Sequence, residues 1–344
     1  MRSLDFRYII MRNGADKGQL KPVSDPRVIM DDSAEIKMSF SATFAPSDDI
    51  DWLTDEIRPE MIINGVAYPL GIYAPATISE TRTETSIELS VEAYDRCWRV
   101  RDLYTENILS LAAGTNYITA VKQLLTAAGI ATVIETPTTA TLTEIREDWD
   151  IGESYLTIIN ELLSEINYKP LYFNEQGAAV LEPVVTPSAE NVQHTFDANN
   201  VLSLMLPETE RATDIYSAPN VFLCICSNPD KSGSMTATAV NDNPQSPLSV
   251  QRRGRRIMRV ENVDNIASQS ELNDYANRLR NDSLFTGETI SVSTALFPNF
   301  GVDDVVALIL PEVTGICKDK RFEMELRVGG TMKHTLERVV LNLG

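Results

Sequence analysis

From Ile36 to Phe44 every second residue is apolar: Ile36, Met38, Phe40, Ala42 and Phe44 stand out of SAEIKMSFSATFAP. A period of two belongs to a strand that buries one face and wets the other. The alternation returns at Ile87, Leu89, Val91 and Ala93. Between the two, PEMIINGVAYPLGIYAP holds Asn64-Gly65 between apolar runs, the pair a two-residue hairpin needs because both turn positions require positive φ. Short strands at this spacing predict a small antiparallel barrel or sandwich over residues 1–103.

After Leu103 the period changes. TNYITAVKQLLTAAGI starts at an N-cap of Thr115 or Asn116, runs Ile118, Val121, Leu124 and Leu125 along one face, and stops at Gly129 where a C′ glycine sits. A threonine-rich bridge, ETPTTATLTEI, leads to a second helix. There Asp150 and Glu153 have capping-box spacing and Leu156, Ile159, Leu163 and Ile166 form the stripe. Pro170 ends the helical pattern, and PLYFNEQGAAVLEP reads as a hairpin. The expectation for 104–195 is an α/β module of two helices plus a hairpin.

The β-pattern resumes over 196–344, with a second barrel predicted there and one helix near 268–281 that turns Leu272, Tyr275, Ala276 and Leu279 inward. NDNPQSPLSVQRRGRRIMRV, carrying Pro244, Pro247 and Gly254, is expected to cross the surface as a loop. A chain of 344 residues exceeds what one core usually serves, so more than one domain is expected. The expected fold class is α+β, mainly β, with two antiparallel β-barrel domains interrupted by a small α/β insertion domain.

Charge narrows the function. Lys and Arg number 30 against 49 Asp and Glu, a net charge of −19, which opposes the phosphate neutralisation that nucleic-acid binding requires. The N-terminal MRSLDFRYIIMRNGADKG is too short and too broken by Arg for a signal peptide or a membrane span, so cytoplasmic synthesis without stable membrane insertion is expected. Cys224 and Cys226 flank one residue in NVFLCICS and so share one face of a buried strand. With Cys97, Cys317, His194 and His334 scattered elsewhere, they make a poor metal set.

Glu144, Glu147, Asp148, Asp150 and Glu153 crowd the start of the second helix, where acids suit the helix dipole and its cap. The same carboxylates beside Trp149 would be the material of a glycan hydrolase. Asp303 and Asp304 are expected in a turn ahead of the buried run Val305, Val306, Leu308 and Leu310. His194 and His334 read as surface or satisfied residues. No G-x-S-x-G elbow, P-loop or G-x-G-x-x-G occurs, so no catalytic residue, cofactor site or metal site is expected. Arg252, Arg253, Arg255 and Arg256 form the one strongly basic run, and in so acidic a chain they predict a subunit interface pairing with carboxylates.

Taken in order, VEAYDRCWRVRDL, TNYITAVKQLLTAAGI, WDIGESYLTIINELLSEINYKPLYFNEQGAAVLEP, SPLSVQRRGRRI and ASQSELNDYANRLRND resemble the baseplate hub proteins of contractile phage tails and phage-tail-like particles. The likeness is to the hub of defective phage PBSX and more remotely to the T4 hub, late control protein D and the VgrG head. It implies two tube-like β-barrels interrupted by the insert, three copies forming a ring that matches a sixfold tail tube to a threefold central spike. The partners implied are further copies of the chain, the tail tube protein, the spike, other baseplate proteins and the tape measure protein, in a virion tail baseplate. An acidic lumen would let DNA slide through such a ring. The competing readings are a cell-wall hydrolase and a tail-tip receptor-binding adhesin.

Overall fold

The computed structural model describes residues 3–24, 26–200, 205–212, 218–226, 235–263, 266, 268–283 and 288–338. The chain divides into two compact units. The first is Met1–Val184 with Thr294–Val302 and Lys320–Lys333; the second is Val185–Ser293 with Asp303–Asp319 and His334–Gly344. The protein is mainly β.

The first unit begins with strands β1 (Leu4–Arg12), β2 (Ala15–Gln19), β3 (Arg27–Asp31), β4 (Met38–Phe44), β5 (Glu56–Ile63), β6 (Val66–Pro69), β7 (Tyr73–Arg82) and β8 (Ile87–Asp95). They pair antiparallel in the order β3-β4-β8-β7-β5-β1-β2, with β6 beside β5. The alternation of β4 appears directly: Met38, Phe40, Ala42 and Phe44 are buried, and the residues between them are half-exposed. The predicted hairpin forms, with Ile63 opposite Val66 and positive φ at both Asn64 and Gly65. Tyr8, Phe40, Phe44 and Tyr73 fill the core with ring centroids 5.6 to 6.2 Å apart. Residues 321–325 return from far along the chain to pair with β3, Phe322 opposite Met30.

Helices α1 (Cys97–Arg101), α2 (Tyr117–Ala127) and α3 (Tyr155–Glu165) follow, with β9 (Val133–Glu135), β10 (Tyr172–Phe173) and β11 (Ala179–Leu181) in a three-stranded sheet of order β10-β11-β9. α2 matches expectation: Asn116 accepts the Thr119 N–H, Ile118, Val121, Leu124 and Leu125 are buried, and Gly129 takes a φ of +77° just beyond the C-cap. One apolar cluster joins these elements to the end of the β-region, Ile36, Cys97 and Val100 packing with Leu125, Ile159 and Leu163. The tip of the β10–β11 hairpin is tied down as well. Gly71 N–H donates to the Glu175 carbonyl at 3.0 Å, and Arg96, paired with Glu56, donates to the Gly177 carbonyl at 3.0 Å.

The start of α3 differs from the expected capping box. Its N-cap is Ser154, whose Oγ accepts the Leu156 N–H and donates to the Arg101 carbonyl at 2.7 Å. Asp150 lies a turn earlier, where its carbonyl accepts from the Thr105 hydroxyl and the N–H groups of Gly152 and Glu153 donate to that hydroxyl. Thr105 thus ends the approach segment four residues later than the carboxylates suggest. Ser154→Ala is expected to cost about 2 kcal/mol, a cap and a buried hydrogen bond together, and Asp150→Ala a few tenths. Urea denaturation midpoints of the two variants check the order.

The second unit contains β12 (His194–Asp197), β13 (Met205–Ala212), β14 (Val221–Cys226), β15 (Met235–Val240), α4 (Val250–Arg253), β16 (Met258–Val263) and α5 (Gln269–Ser283). β17 (Thr289–Ala295), β18 (Val305–Ile309), β19 (Thr314–Glu325) and β20 (Thr331–Arg338) complete the chain. α5 covers the sheet β15-β14-β16 through Leu272 and Ala276, which meet Phe222, Cys224, Cys226 and Ala239. The two cysteines share that buried face, as their spacing predicts. Among the described residues β14 pairs with β16 and β12 with β18 in parallel, as β9 does with β11 in the insertion, where antiparallel barrels were expected. Long connections permit this, because a parallel partner needs a crossover rather than a tight turn. The stretches of predicted strand at 201–204, 213–217, 227–234 and 339–344 lie outside the described residues.

Candidate interface and titratable clusters

The basic run is built on buried polar residues. Ser249 caps the short α4 by accepting the Arg252 N–H at 3.2 Å, and Gly254 ends it with a φ of +64°. Beneath it Asn220, fully buried, donates to the carbonyls of Leu248 and Arg255 and accepts the Ile257 N–H at 2.7 Å. Asn241 and Ser246, also buried, bond to each other at 2.9 Å. The predicted surface loop is therefore an ordered helical turn held from below, because its Asn and Ser side chains replace the backbone partners that a loose loop would find in water. Arg252, Arg255 and Arg256 are exposed on it together. Arg253 instead donates to the Ala218 carbonyl at 2.5 Å, and Arg259, on β16, pairs with Glu261.

Of the carboxylates that precede α3, Asp148 serves a buried arginine rather than the helix end. Arg146, 5% exposed, forks onto both oxygens of Glu165 at 2.9 Å, pairs with Asp148, and lies 5.0 Å from the Trp149 ring centroid. Trp149 Nε1 donates to Glu161 and Tyr117 Oη to Glu165. Burial pushes the Glu165 carboxyl up, while Arg146 and the Tyr117 hydroxyl pull it down. Glu144, Glu147 and Asp150 remain exposed around this buried arginine. The only sign of it in the sequence is a lone cation inside an acidic run.

His334 and Asp319 are fully buried, Nδ1 to Oδ2 at 2.6 Å, with the Phe196 ring 4.9 Å from the imidazole. His194 meets Asp304 at 3.2 Å, Gln193 donates to the same carboxylate at 2.9 Å, and Asp303, at a φ of +67°, pairs with Lys318. Asp303 and Asp304 thus form the expected turn into β18. These pairs tie strands to one another, and the enclosed His334–Asp319 couple presents no proton to a solute, which general acid–base chemistry requires. Burial pushes the Cys317 thiol up to about 12. Among the described residues no three His, Cys, Asp or Glu side chains are placed to hold a metal ion, and no helix is long and apolar enough to cross a membrane.

No protein-family model and no curated protein matches the sequence. Solved structures do share the fold. A 43 kDa tail protein of prophage MuSo2 from Shewanella oneidensis superposes with a TM-score of 0.70 at 11% identity, over 98% of this chain and 99% of that one. A tail protein from Neisseria meningitidis gives 0.68 at 12% identity, over 97% and 96%. An Escherichia coli component of the type VI secretion system, itself structurally similar to the T4 tail proteins gp27 and gp5, gives 0.56 at 6% identity, over 96% of this chain and 76% of that one.

Proposed function

We propose that the chain is a structural baseplate hub protein of a contractile phage tail or phage-tail-like particle. The observation that carries this reading is a fold shared end to end with two tail proteins, at TM-scores of 0.68 and 0.70. In this reading residues 1–103 and 196–344 are two tube-like β-barrel domains and 104–195 is the insertion domain. Three copies form a ring that adapts the sixfold tail tube to the threefold central spike. Tube, spike, other baseplate proteins and the tape measure protein are its partners, and the ring sits in the virion tail baseplate after synthesis in the host cytoplasm. The protein is not an enzyme in this role, and the Arg252, Arg253, Arg255 and Arg256 turn is a subunit interface.

Two sheet ends favour self-assembly. β2 and β13 are the two end strands of one strand order; β2 is exposed at Ala15, Asp16, Lys17 and Gln19, and β13 is exposed along residues 206–212. Open edges of this kind invite pairing with another chain. A native mass near three chain masses across a concentration series, with negative-stain images of a ring with a central hole, is the expected result. A strict monomer, both alone and in the presence of a spike protein, would remove the hub assignment.

A further inference from the structure

Two surfaces combine exposed apolar side chains with charge of opposite sign. On the insertion, residues 103–111 run against 146–155, Leu111 and Arg146 exchanging both backbone hydrogen bonds and Thr105 pairing with Gly152 and Glu153. Along this irregular ladder Ile151, Ile108, Ile145 and Tyr104 are 64, 62, 61 and 51% exposed. Interleaved with them are the exposed carboxylates of Glu144, Glu147, Asp148 and Asp150. In the second unit, β16 is the end strand of its sheet, and Met258 and Val260 on it are 51 and 50% exposed. The exposed Arg252, Arg255 and Arg256 lead directly into that strand.

Both surfaces are open to solvent in the single chain. Large apolar side chains clustered in the open and set among charges mark contact sites rather than ordinary surface. Here the two sets complement each other, aliphatic against aliphatic and guanidinium against carboxylate, where Arg can bond in bidentate fashion. Resting on the self-assembly reading above, we infer that the Arg252–Met258–Val260 surface of one copy docks on the Glu144–Ile151 surface of a second copy of this chain. Joining two different patches makes the contact heterologous, and such a contact closes into a ring when the rotation between copies allows. Charge sets approach and register, and the apolar side chains supply the buried centre. Arg253 stays outside the contact, committed to the Ala218 carbonyl.

The test is charge exchange read by native mass. R252E/R255E/R256E alone and E144R/E147R/D150R alone are each expected to leave folded monomer where the wild type assembles. The chain carrying both sets is expected to recover the wild-type mass. Ile151→Ser and Met258→Ser, which change no charge, are expected to weaken assembly about tenfold each and carry the test if a charge variant does not fold. An assembling wild type whose single sets also assemble, or whose combined set stays monomeric, overturns this contact and leaves the hub reading standing. A wild type that stays monomeric at every concentration, alone and in the presence of a spike protein, overturns both.

Discussion

Gly71→Ala is expected to lower the stability of the protein by about 4 kcal/mol, through backbone strain and overpacking at one site. Gly71 has a φ of +109°, and a Cβ there would lie 2.5 Å from the Tyr73 hydroxyl oxygen and 2.7 Å from Cζ. The ring cannot retreat. Tyr73 is fully buried, donates to the Leu70 carbonyl at 2.6 Å and packs on Phe40 at 5.6 Å. Any shift of Gly71 also disturbs its bond to the Glu175 carbonyl, which fastens the insertion hairpin. Gly65→Ala is the control, since Gly65 has a φ of +84° with nothing within 4 Å of its added Cβ. It carries the conformational cost alone, about 1 kcal/mol. Urea unfolding of both variants separates the terms, and equal losses would show that Tyr73 yields.

The contrast between these glycines also marks what was legible beforehand. Asn64-Gly65 is a local signal, readable because a two-residue turn dictates its own residues. Gly71 follows a Pro-Leu pair with no turn motif, and its constraint comes from a ring two residues away and a hairpin a hundred residues on. The same division holds elsewhere. α2 carries its cap, stripe and stop within sixteen residues and was predictable as a unit. The cap of α3 lies four residues beyond the one that the carboxylate spacing predicts, because Thr105, far back in the chain, decides where the approach segment ends.

Pairing partners were harder still. The alternation of β4 and β8 predicts strands, but nothing in it says that residues 321–325 return to β3 or that β14 takes β16 in parallel. For the candidate interface, composition identified the arginines, while the Asn220 scaffold and the diversion of Arg253 to Ala218 depend on residues more than thirty positions away. An arginine run looks uniform in sequence; packing beneath it leaves Arg252, Arg255 and Arg256 exposed and half-buries Arg253.

Asp95 is where burial and charge conflict most, and it gives the fold a pH dependence. Its carboxyl is 2% exposed at the end of β8 and accepts the Cys97 N–H at 2.8 Å. Burial raises its pKa from the ordinary 3.8 to about 7, outweighing the Cys97 hydrogen bonds and the Lys37 ammonium, which pull it down. Below the unfolded value both states hold the proton and the group is neutral to stability. Between 3.8 and about 7 the folded state keeps a proton that the unfolded state has released, so stability falls as pH rises. Above 7 both are ionised and the full loss of about 4 kcal/mol is in place, from some three pKa units at about 1.4 kcal/mol each. The wild type is therefore expected to lose stability steadily from pH 4.5 to 7.5. Asp95→Asn, which retains an oxygen for the Cys97 N–H, is expected to lose about 3 kcal/mol less over the same range, the first part of the full loss falling below pH 4.5. The slope carries the prediction, since the amide introduces its own constant offset by placing an N–H where a carboxylate oxygen stood. Parallel slopes for the two proteins would mean that Asp95 ionises near its ordinary value inside the core, and that the Cys97 and Lys37 contacts outweigh its burial.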